Sequence, residues 1–181
     1  MKKLNLGCGT DIRKGWINLD IAKIPGVDIV YDINKLPIPF KNEVFDYILC
    51  NDVLEHVEYV PLMKELHRIL KEYGIIEIKV PHFSSRNNFV DPTHKKFFSF
   101  QTFEFFVKNS TYNKDYNKEY YFDFHFKEVV YSKIFFSKGL FIFNFIVEPF
   151  VNCCEMSKKL FELTFLSRLF PAENIIIKIK K

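Results

Sequence analysis

Gly7 and Gly9 bracket Cys8 directly after the apolar run Leu4-Asn5-Leu6, and that order has a chemical use. Glycine tolerates positive φ and carries no Cβ, so a ligand can lie against the main chain of such a turn. Thirteen residues after Gly7, the run Trp16-Ile17-Asn18-Leu19-Asp20 ends in an acid. A carboxylate at a strand end is placed to accept both hydroxyls of a ribose. Val30-Tyr31-Asp32-Ile33-Asn34 repeats the arrangement, and Asp32 is placed to accept the exocyclic amine of an adenine. Glycine turn, acid and acid on successive strand ends describe a nucleoside site, with Cys8, Ile21 and Ile33 beside the polar groups. The plain alternative is a tight turn with two solvated acids.

A second set of reactive side chains lies further along. Asn51 ends a fourth apolar run, with Glu55 and His56 just beyond it, and Pro81-His82-Phe83 ends a fifth. The polar island Asp91-Pro92-Thr93-His94 interrupts a Phe-rich segment whose composition suits a lid. A nucleophilic oxygen or nitrogen benefits from a base that takes its proton, so His82, Asp91 and His94 are the candidate catalytic residues. His56 fits the rim of the cofactor site. Each has a plain role too, as a helix-start cap, an Asp-Pro turn or a satisfied histidine. His82, Asp91 and His94 are spaced nine and three residues apart, which matches no zinc pattern. Isolated Cys8 and Cys50 and the vicinal pair Cys153–Cys154 form no ligand set either. No metal site is expected.

The elements that must position these groups are legible in outline. Lys3–Leu6, Trp16–Asp20, Val27–Asp32, Phe45–Cys50 and Ile75–Val80 read as strands. Leu62, Leu66, Ile69 and Leu70 recur at helical spacing within Val53–Lys71, and Gly74 is expected to end that helix. Strands alternating with helices predict an α/β sheet with ligands at its carboxyl edge. The gaps between the first three strands are too short for full crossover helices, so those helices are predicted to be vestigial, a single turn at Thr10–Lys14. Further on, a helix is predicted near Phe100–Lys108, a long strand or hairpin arm at Phe122–Phe136, a helix at Glu148–Leu169 and a last strand at Asn174–Lys180. Nothing marks a boundary, so residues 1–181 are read as one domain.

The missing helix discriminates between cofactors. A dinucleotide's pyrophosphate wants a third glycine and a helix N-terminus, whereas this chain has Ile12 and almost no room for that helix. S-adenosylmethionine has no phosphate and does not need it. Leu-Asn-Leu-Gly-Cys-Gly, Gly-Trp-Ile-Asn-Leu-Asp, Asp-Ile-Asn-Lys-Leu-Pro-Ile-Pro-Phe and Phe-Asp-Tyr-Ile-Leu-Cys-Asn-Asp-Val-Leu-Glu-His-Val, in that order, resemble class I S-adenosylmethionine-dependent methyltransferases. The resemblance runs from Lys3 to about Phe106 and implies a Rossmann-like sheet; the shortened N-terminal helices depart from the family's pattern, and an aromatic-rich helical insertion is read near the C-terminus. It implies that Gly7 and Gly9 line the methionine moiety, Asp20 the ribose, Asp32 and Ile33 the adenine, and that Asn51 lies beside the sulfonium. The family's usual Leu-Lys-Pro-Gly-Gly is Leu70-Lys71-Glu72-Tyr73-Gly74 here, a change remote from the cofactor.

Composition narrows the partners. A net charge of +4 without a basic stripe argues against a dedicated nucleic-acid binder. The apolar stretch Gly139–Val147 is too short to span a bilayer, and unpaired thiols suit a reducing cytoplasm. Phe135, Phe136, Phe141, Phe143, Phe145 and Phe150 are expected to cover the sheet; a homodimer contact or peripheral membrane contact is the alternative. The reading is a cytoplasmic methyltransferase acting on a small molecule, with a saccharide or nucleotide sugar expected by family analogy. The competing readings are a non-catalytic scaffold of the same fold and a nucleotide-dependent oxidoreductase.

Overall fold

The computed structural model describes residues 1–108, 110, 112, 119–139 and 142–181. Seven strands form one sheet: β1 (Lys3–Leu6), β2 (Ile17–Asp20), β3 (Ile29–Val30), β4 (Phe45–Asn51), β5 (Leu70–Pro81), β6 (Glu128–Phe135) and β7 (Asn174–Lys180). Their order is β3-β2-β1-β4-β5-β7-β6. The first five run parallel, and β7 pairs antiparallel with both β5 and β6.

One face of the sheet is apolar. Leu4, Leu6, Leu19, Ile48, Ile76, Ile78, Val80, Ile175, Ile177 and Ile179 are buried there, and helix α1 (Tyr59–Ile69) contributes Leu62, Met63, Leu66 and Ile69 to the same core. Aromatic rings extend the layer, with Tyr59 edge-on to Phe98 and Phe106 at 5.3 and 6.1 Å. The other face is mixed: Asn5, Asn18 and Leu49 are buried there, whereas Lys3, Tyr47, Glu77, Lys178 and Tyr131 are half-buried or exposed. They pair laterally: the Tyr47 hydroxyl donates to Glu77, and Lys178 meets Glu77 at 2.9 Å. This polarity explains the alternation in β5 and β7, since a parallel sheet covered on both faces would be continuously apolar.

The turn of helix expected at Thr10–Lys14 is absent. Residues 7–16 join two parallel strands as irregular chain, and two buried asparagines replace the missing helical hydrogen bonds. Asn5 Nδ2 donates to Asp11 O (2.6 Å) and to Asn18 Oδ1 (3.2 Å). Asn18 Oδ1 also accepts from Arg13 N (2.9 Å), while its amide donates to Arg13 O (3.1 Å). Asn18→Ala strands these buried donors and acceptors, so we expect it to lower unfolding free energy by about 2 kcal/mol, measured by urea denaturation.

Other boundaries also differ from the sequence-based expectation. Pairing of Leu70 with Phe45 draws Leu70 into β5, so α1 stops at Ile69 and Gly74 lies inside the strand rather than ending the helix. The β3 strand shrinks to Ile29–Val30, and the arm expected at Phe122–Phe136 narrows to β6. Near Phe100–Lys108 there is a 3-10 turn, Thr102–Phe106. A single helical turn, α2 (Asn87–Val90), precedes it. The helix expected at Glu148–Leu169 is three: α3 (Asn144–Val151), α4 (Glu155–Leu163) and α5 (Leu166–Leu169). Cys154 and Thr164 interrupt it with extended backbone.

These helices close the sheet's edge more than they cover its face. Asn152 caps the free edge of β6, accepting from Ile134 N (2.8 Å) and donating to Ile134 O (2.7 Å). Edge strands left open invite pairing with other chains, and this contact prevents it locally. Of the phenylalanines expected to cover the sheet, Phe136 is buried, but Phe143, Phe145 and Phe150 are 45%, 58% and 66% exposed. Phe141 lies outside the described residues. The helices are too short to bury more than one stripe, so their second face stays in solvent. Among the described residues, no helix is long and apolar enough to cross a membrane.

Candidate active site

The carboxyl ends of β1 to β4 form a groove of about 280 Å³. Gly7 and Gly9 both adopt positive φ, +62° and +48°, which turns the chain sharply out of β1. A Cβ on Gly7 would stand 2.5 Å from Val53 Cγ2, so only glycine lets the two strand ends close. Asp20 holds the turn from the next strand. Its Oδ2 accepts from Gly9 N at 2.7 Å and its Oδ1 from Ala22 N at 2.9 Å. Each oxygen keeps a lone pair, so the carboxylate can still accept two hydroxyls from a ligand.

Asp32 stands at the end of β3 in a turn of its own. The backbone N–H and then the side-chain amide of Asn34 bond its carboxylate and hold its pKa below the ordinary value. Gly7, Asp20, Ile21, Asp32, Ile33 and His56 all line the groove. Gly9 and Cys8 lie in its turn without lining it, and burial, then the Asp20 charge, push the Cys8 thiol up in pKa. Asn51 ends β4 but Asp52 and Val53 take its place in the lining. Tyr31 and Val57 also contribute, as apolar walls that no polar motif in the sequence announced.

A second cavity of about 340 Å³ adjoins the first and shares Asp52 and His56 with it. Asp91 and His94 line it, as do Glu55, Lys79 and Asn174. Asp52 sits at φ +51°, its N–H bonded to Lys79 O at 2.9 Å and its carboxylate to Lys79 Nζ at 2.7 Å. Glu55, on the 3-10 turn Leu54–His56, is fully buried. Burial first, then the Asp52 and Asp91 charges, raise its carboxyl to about 7, with the Lys79 charge opposing them. The rings of His56 and His94 meet edge to face at 4.7 Å. Thr93 bridges them to the turn, its Oγ1 lying 2.9 Å from His56 Nδ1 and donating to Asp91 Oδ1 at 2.6 Å.

His82 is not part of this group. Its side chain is fully enclosed, and both ring nitrogens are engaged: Nδ1 accepts from Ser84 N at 3.1 Å and Nε2 lies 3.0 Å from Glu162 Oε1. The strand end that was expected to present it to an acceptor instead turns it under α4, where it stacks near Phe83 and Phe161. His82, Asp91 and His94 therefore do not come together. The structure assembles Glu55, His56 and His94, which among the described residues bring one potential ligand atom each within 4.8 Å. Lys79, on β5, was not anticipated, and a lysine facing an acid across adjacent strand ends is the signal that would have found it.

With this geometry in view, the comparisons with known proteins are direct. Residues 4–78 match the family model described as a methyltransferase domain. An uncharacterized protein of Methanocaldococcus jannaschii is 35% identical over 88 residues, 44% of this chain and 39% of that one, so the match spans well under half of the relative's length. A SAM-dependent methyltransferase from Archaeoglobus fulgidus superposes with a TM-score of 0.58 at 18% identity, covering 99% of this chain and 86% of its own. The cyclase SpnF superposes with a TM-score of 0.57 at 12% identity, covering 99% and 74%. The fold is the Rossmann-like fold of class I S-adenosylmethionine-dependent methyltransferases, and S-adenosylmethionine is the cofactor of that fold and domain.

Proposed function

We propose, from the methyltransferase domain that residues 4–78 match, that this chain binds S-adenosylmethionine and transfers its methyl group to a small molecule. The observation that carries the reading is the pair of adjoining cavities: one lined by Gly7, Asp20 and Asp32, the other by Asp91 and His94, with Asp52 and His56 between. In this arrangement the nucleoside lies along the ends of β2 and β3. The methionine end follows the glycine turn, and the sulfonium faces the shared wall. Methyl transfer is an in-line displacement, so the chain's main contribution is to hold donor and acceptor in line and exclude water. A saccharide or nucleotide sugar is the acceptor class we propose, by family analogy.

The absence of a helix after the glycine turn argues against a pyrophosphate and so against the oxidoreductase reading. A scaffold of the same fold is the second reading, and the cyclase of similar fold shows that the architecture hosts other chemistry. The exposed face of α3 and α4 would in either case serve a second copy of the chain or a membrane surface, which sedimentation with and without vesicles separates. The test of the main reading is methyl-labelled S-adenosylmethionine offered with a panel of saccharides and nucleotide sugars. We expect saturable calorimetric binding and label in an acceptor. Binding without transfer to any extract component supports the scaffold, and binding of NAD in its place rejects both.

A further inference from the structure

We propose that Glu55, His56 and His94 form a binding site for a divalent first-row transition cation in the cavity beside the cofactor groove. Each offers one ligand atom, and these atoms lie within 4.8 Å of one another, close enough for a single ion to meet all three. Two imidazoles and a carboxylate suit zinc, cobalt and their neighbours, and leave coordination positions open. The contacts around the cluster point to a ligand that is not protein. Glu55 is fully buried, yet neither carboxylate oxygen has a hydrogen-bond partner among the described residues. His94 Nδ1 is likewise buried and unpartnered. Unpaired buried polar atoms are costly, and three of them on two residues that line one cavity point to a ligand there.

The surroundings also set the tautomer of His56. The Thr93 hydroxyl has one proton and donates it to Asp91 Oδ1 at 2.6 Å, so toward His56 Nδ1, at 2.9 Å, it acts as acceptor. The ring proton then sits on Nδ1, and Nε2 presents its lone pair. A ligating histidine is commonly oriented this way, by a hydrogen bond at its other nitrogen. Asp52 and Asp91 add negative charge at the cavity wall, offset by Lys79 alone among its lining residues. A cation here would hold an acceptor oxygen beside the methyl donor; that role rests on the methyltransferase reading, whereas the site itself does not.

The experiment is titration of the chelator-treated full chain with Co²⁺, followed by its visible spectrum, with Zn²⁺ as competitor. We expect one equivalent of cobalt bound through nitrogen and oxygen, displaced by zinc. Glu55→Gln and His94→Gln should weaken binding by about a hundredfold and Thr93→Val, which removes the hydroxyl between His56 and Asp91 and leaves the three ligating side chains in place, by about tenfold. Cooperative thermal unfolding certifies that each variant is folded, and Thr93→Val decides the matter if the other two are not. No saturable cobalt on the folded chain overturns the proposal. So does affinity unchanged in the folded variants, or a sulfur charge-transfer band from exposed Cys153 and Cys154. S-adenosylmethionine titrated into the same samples separates the two readings. Its binding without cobalt binding overturns only the cation site, and the converse overturns only the cofactor assignment.

Discussion

Asp20→Ala is expected to weaken S-adenosylmethionine binding by about a hundredfold in calorimetry, the larger of two contrasting losses along the groove. The carboxylate accepts from Gly9 N at 2.7 Å and Ala22 N at 2.9 Å, so it ties the glycine turn to the end of β2 before any ligand arrives. Removing it frees the turn and, on the proposed placement of the cofactor, deletes the acceptor for the ribose hydroxyls. Loss of charge-assisted hydrogen bonds at this level sums to about 3 kcal/mol, or two decades in affinity. Asp32→Ala is the contrast. Its Oδ1 is held within its own turn by Asn34, at 3.0 Å from the backbone and 3.1 Å from the amide, so no other element depends on it. We expect about a tenfold loss there. Equal and negligible effects for both variants would reject the placement of the nucleoside on β2 and β3.

Glu162→Ala is expected to lower unfolding free energy by about 3 kcal/mol, read by chemical denaturation. Glu162 on α4 receives three donors at once: His82 Nε2 at 3.0 Å, Ser99 Oγ at 2.6 Å and Phe100 N at 2.9 Å. It thereby joins the end of β5, the segment entering the 3-10 turn and the inserted helices. Truncation leaves all three donors without their acceptor in a region lined by buried Phe98, Phe100 and Phe161. Glu162→Gln keeps an oxygen for the two N–H donors and can donate to Ser99, so its cost should be about 1 kcal/mol. His82 acts here as a structural latch rather than an acceptor base, and a loss in Glu162→Ala no greater than in Glu162→Gln would contradict that role.

The amphipathic strands and α1 were legible because periodicity is a local property: Leu62, Leu66 and Ile69 point one way on any helix, and Ile175, Ile177 and Ile179 one way on any strand. Element ends were less so. Leu70 belongs to β5 only because Phe45 pairs with it, and no local rule at Gly74 anticipates a partner from another strand. The undivided helix expected at Glu148–Leu169 failed for a related reason. Extended backbone at Cys154 and Thr164 lets α4 turn back so that Phe161 and Glu162 reach His82.

At the glycine turn and the neighbouring strand ends, local sequence was enough to place the groove's polar groups. Gly7, Gly9, Asp20 and Asp32 each act within a turn or at the strand end where they occur, so residue type and spacing suffice to place them. Ile12 and the short gap before β2 already excluded the helix a pyrophosphate needs, and Asn5 with Asn18 shows how the chain does without it. The second cavity depends on contacts between segments distant in sequence. Glu55 and His94 come together only because residues 82–101 fold back over the ends of β4 and β5, held by contacts such as Lys95 N to Glu55 O at 2.8 Å. The same fold-back turns His82 inward. Which of several histidines faces a cavity depends on burial among residues distant in sequence, and spacing along the chain carries no record of that.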